Sequence, residues 1–244
     1  MDGIQNSFQR VEAKYLLTPR QYDSLRRGME GRVRPDVYSH YTICSIYCDT
    51  ADYSLIRASL DKPIYKEKLR LRSYGVPGSR DAAFVEIKKK FDGVVYKRRV
   101  TLTAAEAAQA VSRGRLNGND QISREINWFL YKWQPRPAAY IGYDREAWAG
   151  TEDSALRITF DTCLRARCRD LDLRAGDYGE LLLPADSILM ELKFEGGAPL
   201  WLTRLLSENQ IFPTSFSKYG SYYKHLMGAA PVYGTYRPEV KRYA

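Results

Sequence analysis

The stretch Tyr65–Tyr74, YKEKLRLRSY, sets cations at every second position: Lys66, Lys68, Arg70 and Arg72, with Glu67, Leu69 and Leu71 between them. Residues i, i+2 and i+4 of a strand share a face, so the segment reads as a strand with four cations on one side. Two unit charges about 7 Å apart repel by about 2 kcal/mol at an effective dielectric of about 20. A row of four therefore asks for carboxylates or a polyanion as compensation. Taken alone, such a strand reads equally as a solvated edge whose lysines discourage aggregation. The pattern recurs along the chain, and recurrence decides against an isolated edge.

Working outward, residues 83–90 (AFVEIKKK) place Phe84, Glu86, Lys88 and Lys90 on one face and Val85 and Ile87 on the other. Asp92-Gly93 is a hairpin signal, and the return strand VVYKRRVTL carries Lys97 and Arg99 together. Toward the N-terminus, residues 38–49 read as a strand rich in tyrosine, isoleucine and threonine, followed by a turn and a short helix over 49–59. Residues 8–17 (FQRVEAKYLL) alternate as a first strand, with Arg10, Glu12 and Lys14 on its charged face. Thr18-Pro19 caps a helix to about Gly28, and Thr103 with Glu106 forms a capping box for a helix stopping near Gly114. Residues 120–133 form a helix whose apolar stripe, Ile122, Ile126, Phe129, Leu130 and Trp133, reads as core packing.

The second half repeats the strand theme. Residues 138–148 contain YIGYDREAW, with Tyr143 and Arg145 on one face. Residues 156–167 (LRITFDTCLRAR) place Arg157, Thr159, Asp161, Arg165 and Arg167 together, against Ile158, Phe160 and Leu164. In LMELKF, residues 189–194, Glu191 and Lys193 oppose Met190, Leu192 and Phe194. Residues 199–208 and 218–227 read as helices, separated by Pro213 and the segment SFSKYGSYY. The tail 231–244 is rich in tyrosine and proline. No linker and no internal repeat interrupts the chain, which reads as a single domain over 1–244.

Composition bounds the function. A chain of 244 residues, 44% hydrophobic, can build a real core. No run of 18 apolar residues and no apolar signal core at MDGIQNSFQR are present, so the expected location is cytoplasmic. The formal charge of +9 points to an anionic partner. Two histidines speak against a histidine-rich metal site, and Cys44, Cys48, Cys163 and Cys168 lack zinc-ligand spacing and read as buried free thiols. A one-layer sheet would leave its charged faces in water, but such faces usually mix signs, whereas these are mainly basic and rich in arginine, whose fork suits phosphate oxygens. The expected fold is α+β: about eight strands closed into a β-barrel with a basic interior and helices packed outside. Such a lumen suits a linear polyphosphate.

The R-x-E-x-K segment (Arg10, Glu12, Lys14), the K-x-R-x-R strand (Lys68, Arg70, Arg72) and VEIKKK before a hairpin resemble the triphosphate tunnel metalloenzymes (CYTH-like superfamily). With YIGYDREAW, LRITFDTCL, LMELKF and SFSKY, the chain resembles their polyphosphate polymerase branch, the VTC (vacuolar transporter chaperone) domain, over residues 8–224. Without the SPX domain and membrane segments of the eukaryotic versions in these 244 residues, the expectation is a form similar to the stand-alone bacterial one. The resemblance implies a closed, antiparallel eight-stranded tunnel and polymerisation of inorganic polyphosphate from ATP, a phosphotransferase reaction that depends on a divalent metal, Mn2+ or Mg2+. It assigns phosphate and ATP binding to Lys14, Lys68, Arg70, Arg72, Lys88, Lys97, Tyr143, Arg145, Arg157, Ser217 and Lys218. It assigns the metal to Glu191, and catalysis to Lys218, Arg70, Arg72 and Glu191. It also implies a membrane-protein partner for translocating polyphosphate, which would place the chain peripherally at the inner face of a membrane.

One departure bears on chemistry. Arg10 stands where triphosphatase relatives carry the first glutamate of E-x-E-x-K, and fewer carboxylates disfavour a two-metal hydrolytic site. Glu86 and Asp161, on the expected inner faces, are read as pairing with neighbouring arginines. The alternatives are an inorganic or nucleoside triphosphatase on the same scaffold and a non-catalytic polyphosphate or nucleotide sensor. A nucleic-acid module ranks last, because the tyrosines are scattered and no RNA-binding motif is present.

Overall fold

A computed structural model describes residues 10–92 and 94–238. Phe8 and Gln9 of the first expected strand, Gly93 of the expected hairpin, and residues 239–244 of the tail lie outside the described residues. The strands are β1 (Arg10–Leu17), β2 (Val33–Asp49), β3 (Tyr65–Tyr74), β4 (Ala82–Phe91), β5 (Val94–Thr103), β6 (Arg136–Gly150), β7 (Arg157–Arg167), β8 (Gly179–Leu181), β9 (Ile188–Glu195) and β10 (Thr235–Tyr236). The helices are α1 (Pro19–Gly28), α2 (Ser54–Leu60), α3 (Ala104–Arg113), α4 (Gln121–Trp133), α5 (Leu200–Glu208) and α6 (Lys218–Leu226), with a short 3-10 turn at Leu173–Ala175.

Contacts divide the chain into two compact units. The first holds the residues up to Tyr41, Asp144–Thr162 and Ala185–Phe216; the second holds Thr42–Tyr143, Cys163–Pro184 and the residues from Ser217 on. In the first unit β1 pairs antiparallel with β9 (Lys14 opposite Glu191) and β9 with β7 (Glu191 opposite Thr159). Their apolar face, with Leu17, Ile158, Phe160, Met190 and Leu192, packs with Leu25 and Met29 at α1 and Leu202 and Leu206 of α5. Thr18 and Gln21 close the capping box that starts α1, with Pro19 in the first turn, where its missing N–H costs nothing. At Gly28 an added Cβ would stand 2.5 Å from a Leu205 methyl, so glycine permits the close approach of α1 and α5.

In the second unit the ladders run β2–β3–β4–β5, all antiparallel. Leu69, Leu71, Val85 and Ile87 point to a core closed by Ala107, Val111, Ile126, Phe129 and Leu130 of α3 and α4. Glu67 shares that face, and its carboxylate is satisfied there by Trp133 Nε1 at 2.7 Å and the Tyr65 hydroxyl at 2.9 Å. The Thr103–Glu106 capping box starts α3, and Gly114 ends it with φ +67, a left-handed conformation.

The α+β, antiparallel sheet-rich expectation is met; the closed eight-stranded barrel is not. The hydrogen-bonded order is β1-β9-β7-β6-β2-β3-β4-β5, an open path to which β8 adds beside β7 and β10 beside β8, giving ten strands among the described residues. Within the first unit, Tyr15 of β1 bridges Pro213, and Thr214 N–H donates to Lys14 C=O at 2.7 Å. Strands β8 and β10 have three and two residues, too few for any alternation to be read. Strand β2 begins at Val33, ahead of the expected residue 38, and runs through Pro35.

The expected single face of β7 also needs correcting. Cys163 sits at φ 48, outside the extended region, so strict alternation does not carry through it. Arg157, Thr159 and Asp161 belong to the first unit. Arg165 and Arg167 are held in the second, by Asp177 and by the carbonyls of Asp170 and Tyr178. None of the four cysteines is in a disulfide, but only Cys44 and Cys48 are buried; Cys168 is exposed.

Candidate functional site

The register of β3, β4 and β5 turns the expected row of cations into a grid. Lys66 lies opposite Lys90, Lys68 opposite Lys88 and Lys88 opposite Lys97; Arg70 lies opposite Glu86 and Glu86 opposite Arg99; Arg72 closes the series. Directly opposed residues have Cβ atoms about 5 Å apart, so the lysine rungs bring like charges together. The effect is visible on Lys66, whose pKa is lowered by burial and by Lys90, Lys88 and Lys62.

Glu86 is the carboxylate within these rungs, and it is 1% exposed. Its Oε2 accepts from Arg70 Nε at 2.8 Å and stands 2.7 Å from Arg70 Nη2 and 3.8 Å from Arg72 Nη1. Oε1 faces Lys97 Nζ at 2.9 Å, yet has no partner with hydrogen-bond geometry, so this contact is an ion pair whose angle is poor. Burial works to raise the Glu86 pKa, but Arg70, Arg72 and Lys97 outweigh it and hold the carboxyl at about 2. The pairing of Glu86 with neighbouring arginines is as expected.

Tyr47, on β2 opposite Arg70, was not singled out by sequence. Its hydroxyl accepts from Arg70 Nη1 at 3.0 Å and its ring stacks on Tyr219 at 5.0 Å. Burial works upward on this phenol, and Arg70, Arg72 and Lys68 together bring it down to about 7. The signal was the β2–β3 register, which alternation within either strand alone does not supply. Arg72 adds contacts to Ser45 Oγ and to the Tyr143 hydroxyl, each at 3.4 Å. The ammonium of Lys218, 8% exposed at the first position of α6, lies 4.4 Å from the Tyr143 ring centroid. Ser217 is the α6 N-cap, its hydroxyl accepting from Gly220 N–H. The second unit thus brings together Lys68, Arg70, Arg72, Lys88 and Lys97 on its rungs, and Tyr143 with Arg72 and Lys218.

The first unit gathers further predicted residues: Lys14 of β1, Arg145 of β6, Arg157 of β7 and Glu191 of β9. Glu191, 7% exposed, has Lys14, Arg145 and Lys193 at 3.8, 3.5 and 4.0 Å. Arg145 grips Asp161 with two hydrogen bonds, at 2.6 and 2.8 Å, which meets the expected pairing of Asp161. Arg157 pairs with Asp36, and Lys14 Nζ donates to Phe216 C=O at 2.9 Å while lying 3.9 Å from Glu12. Thr159, opposite Glu191 in the ladder, has a buried hydroxyl with no hydrogen-bond partner.

Among the described residues no three histidine, cysteine or acidic side chains converge to hold a metal ion. Glu191 and the unpartnered Thr159 Oγ1 are hard oxygen donors, suited to Mg2+ or Mn2+ if phosphate oxygens complete the shell. The site residues therefore fit such a metal only together with a phosphate ligand.

Residues 9–227 match the model of the VTC domain family. The chain belongs to the VTC domain family. No curated protein matches it. Among solved structures, this VTC domain is similar to a candidate adenylate cyclase from Bacillus halodurans, with TM-score 0.51 and 13% identity over 86% of this chain and 95% of that one. It is also similar to a candidate adenylyl cyclase from Hippeastrum described as having a dominant triphosphatase activity, with TM-score 0.54 and 15% identity over 88% of this chain and 96% of that one. At these identities the likeness is one of fold. No helix among the described residues of the VTC domain is long and apolar enough to cross a membrane.

Proposed function

We propose that this VTC domain is a polyphosphate polymerase, acting as one functional domain that transfers the γ-phosphate of ATP to the end of a growing polyphosphate chain. The observation that carries the reading is the cation surplus of the β3–β4–β5 rungs, where, among the described residues, Lys66, Lys68, Arg70, Arg72, Lys88, Lys90, Lys97 and Arg99 share one face with a single carboxylate, Glu86. Membership of the VTC domain family supports reading that surplus as a site for condensed phosphates.

In the proposed reaction a terminal phosphate oxygen of the chain attacks the γ-phosphorus in line, and the bond to the β-phosphate oxygen breaks, releasing ADP. Phosphoryl transfer needs positioning and neutralisation more than a side-chain nucleophile. Arg70 and Arg72 supply forked donors to equatorial oxygens; Lys68, Lys88 and Lys97 neutralise neighbouring phosphates; Lys218 and the Tyr143 hydroxyl hold the transferred group. Lys14, Arg145, Arg157 and Ser217 are assigned further phosphate contacts. Glu191 would hold the divalent metal, Mn2+ or Mg2+, which when bound supplies charge neutralisation to the phosphates.

The test is incubation of the purified protein with ATP and Mn2+, reading polyphosphate on a stained gel and ADP by chromatography. Long chains with one ADP per residue added are the expected result. Orthophosphate released from tripolyphosphate without chain growth would replace the polymerase with a triphosphatase. Binding of polyphosphate without turnover would leave a sensor, or a polymerase that needs a membrane-protein partner.

A further inference from the structure

Glu86 stands where a phosphate-binding surface has least use for a carboxylate. Its cross-strand neighbours are Arg70 on one side and Arg99 on the other, and the next rung, Lys68–Lys88–Lys97, is cationic throughout. At 1% exposure it cannot swing into solvent, and one of its oxygens already binds Arg70 at 2.7–2.8 Å while the other faces Lys97 without a hydrogen bond. A buried carboxylate held this way is a fixed anion inside the surface that must bind anions. It stabilises the empty rungs by compensating their repulsion, and opposes any phosphate that later shares the same cations.

We propose that Glu86 is a tethered counter-anion that competes with bound phosphate for Arg70, Arg72 and Lys97, so that this residue sets how fast a condensed phosphate leaves the basic rungs. The inference rests on the phosphate-binding reading given above. A surface that moves a polyanion along must bind it firmly enough to hold it and weakly enough to release it, and eight cations without a counter-charge would trap it. One negative charge about 6 Å from another opposes it by roughly a hundredfold in affinity at an effective dielectric of about 20, and screening reduces this.

The experiment measures tripolyphosphate binding by calorimetry, and its release by chasing radiolabelled tripolyphosphate with unlabelled, for wild type, Glu86→Gln and Glu86→Asp. Glu86→Gln keeps an acceptor for Arg70 and removes the charge; it is expected to tighten binding and slow release by about tenfold each. Its ligand-free melting temperature should fall while the rise produced by tripolyphosphate grows. Glu86→Asp keeps the charge but withdraws it from Arg70; it should slow release by about threefold and carries the test if the glutamine variant does not fold. Release that is unchanged or faster in the variants, with wild type binding normally, would overturn the role of Glu86 and leave the phosphate reading standing. Absence of tripolyphosphate binding in every protein tested would overturn both.

Discussion

Two faces of this protein are built from the same alternation and differ in how they balance charge. On β3–β4–β5, eight described cations share one face with Glu86. In the described ion pairs on the charged face of the first unit, Lys14, Arg145, Arg157 and Lys193 meet Glu12, Asp36, Asp161 and Glu191, four against four. The first pattern stores repulsion that an anionic ligand relieves; the second is close to self-neutral and presents carboxylates to which a cation can be added. The comparison teaches that a basic chain is not uniformly basic where it matters. Phosphate affinity should reside mainly in the rungs and metal dependence in the balanced face.

The largest expected effect tests that division from the balanced side. Glu191→Ala should lower metal-dependent turnover by about a thousandfold, with the circular dichroism spectrum and metal-free tripolyphosphate affinity near wild type. Full turnover in this variant would remove Glu191 from the chemistry and break the comparison.

Acid titration probes the surplus side. Because the folded pKa of Glu86 is depressed to about 2, its pairing contributes stability that is fully present above the unfolded value of about 4.5 and is lost as pH falls toward 2. Urea unfolding across that window should show a loss on the order of 3 kcal/mol that is absent in Glu86→Gln.

Arg70→Ala should weaken tripolyphosphate binding by about a hundredfold at low salt. It should not stabilise the empty protein by relieving repulsion, since it strips Glu86 of its shortest contacts and leaves a buried carboxylate under-paired. A higher melting temperature for this variant would mean that repulsion, not pairing, dominates the rungs.

Tyr47 gives a smaller, spectroscopic reading of the same field. With its folded pKa lowered to about 7, its phenolate should appear near neutral pH in ultraviolet absorbance and vanish in Tyr47→Phe. The sign for stability follows: the contribution is absent below about 7 and grows as pH rises toward the unfolded value of about 10. Smallest of all, Thr159→Val should change stability by less than about 1 kcal/mol, because the hydroxyl it removes makes no hydrogen bond. A large loss would show that this hydroxyl is satisfied in solution.

Much of this was legible in the sequence because alternation and capping are local. β3 matches the expected segment residue for residue, the Thr18 cap and the Thr103–Glu106 capping box form, and Glu86 and Asp161 find their arginines. What alternation could not supply was anything depending on a second strand. Tyr47 entered the site through its register with Arg70, and the Lys68–Lys88–Lys97 rung exists only because three strands align. The break of β7 at Cys163 depends on a local left-handed conformation that no residue type there announces.

The sequence by itself determined the antiparallel, strand-rich character of the chain, its basic faces and its family, since each is carried by short-range periodicity and by ordered motifs. Only the tertiary structure decided which charges neutralise one another, because that depends on pairing between residues far apart in the chain. It likewise decided that β1 pairs with Pro213 and Thr214 of its own unit: strand edges present the same unpaired N–H and C=O groups whatever their side chains, and packing alone chooses the partner.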